Sequence, residues 1–277
     1  MIIKLIRTLT IFALALLTLT SCRNEELIRP GDSLEVAFDK AMNQFESENY
    51  SEAARAFETV VSIGRGTDIG QDAQFYLAES YFEQNRYLLA ASEYSRYVQF
   101  HPNSERRQRA EYNEALSYYH LSPRYRLDQS YTNTAIERFR LFIARYPNSE
   151  LREEAADKIV ELRSKLAHRD YNAAEFYMRI SRYNSAAIYF GLVIDNYPET
   201  SWAELALVRQ IEAYVIYAEN SVQQRQEERF RSALESYNRY LQLFPRGENR
   251  SRAEDLYDRA NRGLNAVLSQ DVTANGN

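Results

Sequence analysis

The chain is short of the residues on which most catalytic and nucleotide-binding chemistry depends. Its 277 residues include 8 Gly, 6 Pro, 3 His and a single Cys. So few glycines leave no GxGxxG, GxxxxGK[ST] or GxSxG sequence, and therefore no phosphate-cradling loop or nucleophile elbow. His101, His120 and His168 stand far apart, and with one Cys they offer little to a zinc site or a thiol nucleophile. The scarcity of Gly and Pro also argues against a turn-rich β fold. Lysine is scarce too: only Lys4, Lys40, Lys158 and Lys165 stand among 34 basic residues, against 39 acidic ones. A net charge of −5 gives no basic face for nucleic acid. What is abundant is Tyr (22), Arg, and hydrophobic residues at 45% of the chain, enough for a folded body.

The N-terminus reads as an export signal. Lys4 and Arg7 precede an apolar run, TLTIFALALLTLT from Thr8, which is too short for a bilayer that needs about 20 residues. It ends in Leu19-Thr20-Ser21-Cys22, which resembles a bacterial lipobox. That resemblance makes residues 1–21 a signal peptide and Cys22 the lipidated first residue of the mature chain. The only cofactor-like group expected is this covalent lipid, whose acyl chains contribute about 0.8 kcal/mol per buried CH2 to membrane anchoring. Arg23, rather than Asp, after Cys22 fits sorting to the outer membrane.

The body carries an internal repeat. FHPNS (100–104), RYPNS (145–149), NYPET (196–200) and LFPRG (243–247) each follow an amphipathic segment. Those segments are NYSEAARAF, RYLLAASEY, YTNTAIERF, RYNSAAIYF and RFRSALESY. The spacing matches a tetratricopeptide repeat, with small residues at positions 8 and 20, aromatics at 11 and 24, and Pro at 32. The second repeat supplies Ala78, Tyr81, Ala90, Tyr94 and Pro102, and the fourth Ala174, Tyr177, Ala186, Phe190 and Pro198. In the first, Gln44 and Arg65 replace the aromatic and the Pro. Small residues let two helices approach, aromatics fill between layers, and Pro ends the second helix. The expected fold is all-α, a solenoid of about five helix pairs over 33–246. It follows a lipidated tether at 22–32 and precedes a capping helix at 247–268 and a loose tail at 269–277.

This combination resembles a known family. The lipobox, the NYSEAARAFETVV repeat, the stretch from LDQSYTNTAIERF to VELRSKLA and the AAEFY…YNSAAIYF…YPET block are similar to the BamD family of tetratricopeptide lipoproteins. The resemblance covers residues 33–220. It implies a non-catalytic scaffold and substrate receptor in outer-membrane protein assembly. The implied partners are a BamA-like β-barrel insertase, unfolded outer-membrane proteins presenting a C-terminal signal strand, and other assembly lipoproteins. The implied location is the outer membrane, facing the periplasm. The chain departs from the family at His168-Arg169-Asp170, where a Glu is usual, and in the NSVQQRQEER segment of repeat five. The alternative is a tetratricopeptide lipoprotein scaffolding another envelope complex, such as one for cell-wall synthesis. A lytic transglycosylase needs a catalytic domain for which the repeats leave no room.

In such repeats the first helix lines the concave side through positions 2, 5, 9, 12 and 13. Position 5 is Phe38, Phe75 and Tyr112; position 12 is Phe45, Phe82 and Tyr119. Seven residues is about two turns, so each pair shares one face. The expectation is an aromatic ladder for an extended peptide, flanked by Glu35, Glu46, Asp72, Glu79 and Glu83. Arg109 would receive a terminal carboxylate with a two-pronged hydrogen bond. The competing expectation is that these aromatics are simply core. The insertion at 122–127, with Arg124, Tyr125 and Arg126, is a second candidate contact. No metal site is expected, because His168 and Asp170 lack a third ligand.

Overall fold

A computed structural model describes residues 27–275. Cys22 and the leader lie outside the described residues. Among the described residues there are eleven helices and no strand. They are α1 (Leu34–Glu46), α2 (Tyr50–Ile63), α3 (Asp68–Glu83), α4 (Tyr87–Phe100), α5 (Arg107–Leu121) and α6 (Ser130–Arg145). Then follow α7 (Arg152–Arg179), α8 (Tyr183–Asn196), α9 (Ser201–Glu219), α10 (Gln223–Leu243) and α11 (Arg250–Asn275). The chain divides within α4 into two compact units, Met1–Glu93 and Tyr94–Asn277.

In the first unit α1 and α2 pair and α3 packs on both. In the second, each helix from α5 to α11 packs on the next, and α5–α7, α7–α9 and α9–α11 also touch. Contact with the next helix and the next but one is the signature of stacked helix pairs. The fold is thus all-α, of the tetratricopeptide solenoid class. The small residues assigned to positions 8 and 20 carry the close approach. Ala41, Ala53, Ala78, Ala90, Ala115, Ala135, Ala174, Ala186, Ala213 and Ala233 are all fully buried. At position 24, Phe57, Tyr94, Phe139 and Phe190 are fully buried as well.

The turn inside a repeat is built the same way three times. After α1, α3 and α7 the chain passes through Glu48, Asn85 and Ser181, each with φ near +60° (59°, 59° and 58°). The next N–H closes a Schellman turn in each case: Asn49 to the Gln44 carbonyl, Arg86 to Tyr81 and Arg182 to Tyr177, all at 2.9 Å. L-residues pay for this left-handed geometry and glycine does not. Ser181→Gly is therefore expected to raise stability by about 0.5–1 kcal/mol, checked by chemical denaturation.

The turn between repeats also recurs. His101, Tyr146, Tyr197 and Phe244 each donate N–H to a carbonyl four residues back. Each carbonyl of these four then accepts the N–H three residues on. His101 is a helix-end residue of this series. Repeat one lacks the Pro yet keeps the same pattern at Gly64, whose carbonyl accepts from Thr67 N–H at 3.1 Å. Gly64 stands just before the Pro position, held by Arg65, and α2 and α3 nearly touch there: a Cβ on Gly70 would lie 2.0 Å from the Gly64 oxygen.

Two insertions are absorbed in different ways. Residues 122–129 form an ordered loop, held by buried Gln129, whose amide donates to the carbonyls of Arg124 (3.0 Å) and Leu127 (2.8 Å). Residues added after the third repeat instead lengthen α7 to 28 residues, about 42 Å. At the far end, Glu204 of α9 accepts hydrogen bonds from Asn249 N–H (2.8 Å) and Tyr240 (2.9 Å), tying α11 to α9 and α10. Burial opposes its ionised form, but these donors outweigh burial and hold its pKa below the usual value.

Candidate interaction surface

In the first unit the candidate aromatics gather around Phe57. Phe38 lies 5.9 Å and Phe45 6.4 Å from the Phe57 ring, and Tyr76 stacks on it at 5.8 Å and 18°. Phe38 and Phe45 are half-buried, so they close the core with one side and present the other to solvent. Phe75 is buried, at 8% exposure. Phe82 is half-buried against Tyr87 at 5.3 Å. Tyr76, which touches Phe38, Phe45 and Phe57, was missed by the position rule because it stands one residue beyond position 5.

In the second unit Tyr112 is 4% exposed, wedged between Phe139 (5.7 Å) and Phe142 (5.4 Å). Among the described residues its hydroxyl makes no hydrogen bond of normal geometry, and burial first, then the approach of Glu154, raises its pKa. Tyr119 is half-buried. Its hydroxyl donates to Glu161 at 2.7 Å, and Lys158 stands 4.4 Å over its ring. Burial first, then the Glu161 hydrogen bond, pushes its pKa up to about 12.

Arg109 is exposed, on the first turn of α5, and no carboxylate lies within 4 Å of it among the described residues. It borders a cleft of about 700 Å³ whose other polar and charged lining is Glu105, Gln108, Arg145, Tyr146, Asn148, Ser149 and Glu150. Arg145 is already committed to Glu111, which also takes Arg107 at 2.8 Å. The cleft therefore offers one guanidinium with no carboxylate within 4 Å among the described residues, able to take a carboxylate with two hydrogen bonds, while Glu105 and Glu150 on its rim oppose a second negative charge.

The insertion splits its candidates. Tyr125 turns inward to pack on His168 at 3.9 Å with the rings tilted by 32°, and His168 stacks in turn on Trp202 at 4.1 Å and 8°. Burial, then the charge of Arg126, lowers the His168 pKa. Arg124 and Arg126 remain exposed. Trp202, the only tryptophan, carried no sequence signal for this stack. Asp170 is engaged by Arg169 at 2.8 Å and by Tyr197 at 3.1 Å. Among the described residues no group of three His, Cys, Asp or Glu could hold a metal ion. No described helix is long and apolar enough to cross a membrane.

The helix faces of α7, α9 and α11 are joined by ion pairs. Arg209 reaches Glu175 through two nitrogens (2.5 and 2.7 Å) and Glu212 through a third (2.6 Å). Arg252 adds a contact to Glu212 at 2.7 Å, and Arg259 pairs with Glu219.

The chain is similar to several known proteins. The outer membrane protein assembly factor BamD of Rickettsia prowazekii is 26% identical over 217 residues, covering 77% of this chain and 85% of the relative. That of Caulobacter vibrioides is 24% identical over 192 residues, 69% and 63% respectively. That of Vibrio cholerae is 24% identical over 212 residues, 73% and 88%. A solved tetratricopeptide repeat protein from Parabacteroides merdae is 15% identical over 83% of this chain and 99% of its own, with a TM-score of 0.37. The family model described as YfiO, outer membrane lipoprotein, matches residues 31–230, well over half the chain. The chain belongs to that family, and its role is that of a non-catalytic outer membrane protein assembly factor in the cell envelope.

Proposed function

We propose that the chain is held to the outer membrane by lipid on Cys22, faces the periplasm, and serves there as a scaffold and receptor. It would hold a BamA-like β-barrel insertase and the C-terminal segments of unfolded outer-membrane proteins. The observation that carries the receptor reading is the cleft at Arg109: about 700 Å³ of space, lined also by Glu105 and Glu150, with an exposed guanidinium that no carboxylate approaches within 4 Å among the described residues. The half-exposed rings of Phe38, Phe45, Phe82 and Tyr119 supply apolar surface on the same class of helix, and aromatic anchors lose little entropy on binding.

The test uses a synthetic peptide copying the last strand of a barrel protein, ending in an aromatic residue. Amidating its carboxylate and replacing Arg109→Gln are each expected to weaken binding about tenfold, with no further loss when combined. Equal affinity of the acid and amide forms for the unaltered chain would remove the carboxylate contact. For the anchor, Cys22→Ala is expected to leave the protein in the soluble periplasmic fraction; continued sedimentation with outer membranes would rule the lipid tether out.

A further inference from the structure

The first helix of a repeat is normally covered along one stripe by the second helix of the repeat before it. Positions 3, 7, 10 and 14 form that stripe, since they recur at helical spacing. In repeat two it is Ala73 (0% exposed), Leu77 (4%) and Ser80 (0%), under α2, where the Gln84 amide at position 14 donates to the Tyr50 carbonyl at 3.0 Å. In repeat three it is Ala110 (0%), Glu114 (4%) and Ser117 (0%). There, neighbouring Asn113 bonds Tyr94 of α4 at 3.2 Å. In repeat five Val208 and Val215 are buried and α8 packs on α9.

Repeat four is different. Its stripe is Arg169, Ala173, Phe176 and Ile180, and all four are exposed, Phe176 at 49% and Ile180 at 47%. The cause is the length of α7. The preceding helix, α6, runs antiparallel to the N-terminal half of α7 and begins only at Ser130. The inserted loop marks that edge: Lys165 bonds Ser122 at 2.7 Å and Tyr125 packs on His168. Phe176 lies eight residues further along, about 12 Å past the end of the cover.

We infer that this bare stripe of α7 is a docking surface for a helix of a partner protein, apolar on one side and acidic beside it. It is separate from the groove candidates above. A helix is the occupant because the same positions take a helix in repeats two, three and five. Acidic flanks follow from charge. Arg179 and Arg182 edge the stripe, are exposed, and have no carboxylate within 4 Å among the described residues. Asp195, the one acidic residue of α8, is already paired with Arg239 at 2.5 Å. A phenylalanine at position 10, where repeats two, three and five hold Ser or Val, provides the contact area of an interface anchor.

The experiment places a photo-crosslinking p-benzoylphenylalanine at Ala173 in the full chain in its own envelope, with the adduct mapped by mass spectrometry. The expected product joins Ala173's position to a segment of another protein whose apolar and acidic residues recur at helical spacing. Arg179→Glu combined with Arg182→Glu is expected to lower its yield at least about fivefold. Four outcomes would overturn the inference: no adduct, an adduct with phospholipid, an adduct within this chain or a second copy, or one with a neutral or extended segment. Phe176→Asp supplies the control. It should leave the melting of the purified chain unchanged while abolishing the adduct; a lowered melting temperature would make Phe176 a core residue instead.

Discussion

Phe57→Ala is expected to cost the first unit about 3–5 kcal/mol, the loss typical of a fully buried Phe, while Phe38→Ala costs about 1–2. Phe57 is the hub on which Phe38, Phe45 and Tyr76 converge from α1 and α3, and it has no exposed surface. Removing it leaves a cavity walled by three rings, none of which can collapse inward without leaving its own helix. Phe38 loses only its inner contacts, because part of the ring already faces water. The pair of values separates the two roles the sequence allowed for these aromatics. Hydrogen exchange over α1–α3 is the suitable measurement, since Trp202, the only tryptophan, belongs to the other unit. Equal losses for the two substitutions would mean that Phe38 is core and has no free edge to offer a peptide.

The contrast shows what periodicity can and cannot reveal. Ala, aromatic and Pro spacing marked the helix pairs and the alanines at their contacts, because those residue types answer to purely local demands. The same spacing placed Phe38, Phe75 and Tyr112 on equivalent faces, yet the first is half-buried and the other two are buried. Which neighbour covers a face depends on helix length and on the helix before it, and neither is written in the repeat itself. Repeat four is the clearest case. Its own pattern is regular, but the added length of α7 carries Phe176 and Ile180 beyond their cover. Repeat one shows the converse: with Arg65 in the Pro position the pattern looks broken, yet Gly64 and Gly70 make an equivalent turn by close backbone approach. Trp202 and Tyr76 carried no signal because their partners lie on other helices, at separations that no short motif spans.

Arg209→Met is expected to destabilise the second unit by about 2–4 kcal/mol, somewhat below the usual cost of breaking a fully buried pair because the site is partly open. The Arg209 side chain is 18% exposed, and its guanidinium joins Glu175 on α7 to Glu212 on its own helix. Burial works against the charged form, but the two carboxylates outweigh it and raise the Arg209 pKa above its ordinary value. Without the guanidinium, Glu175 is left with no cation and Glu212 with Arg252 alone. Arg209→Lys should recover only part of the loss, because a single ammonium cannot reproduce a fork that serves two acids at once. Adding Glu175→Leu to Arg209→Met should restore most of it, since two apolar groups in place of a pair strand no charge. Denaturant titration followed by the fluorescence of Trp202, two turns before Arg209 on α9, reads all four proteins. If the double substitution were no more stable than Arg209→Met, the stranded carboxylate would not be the source of the loss. The join between α7 and α9 would then rest on packing of the guanidinium stem rather than on charge.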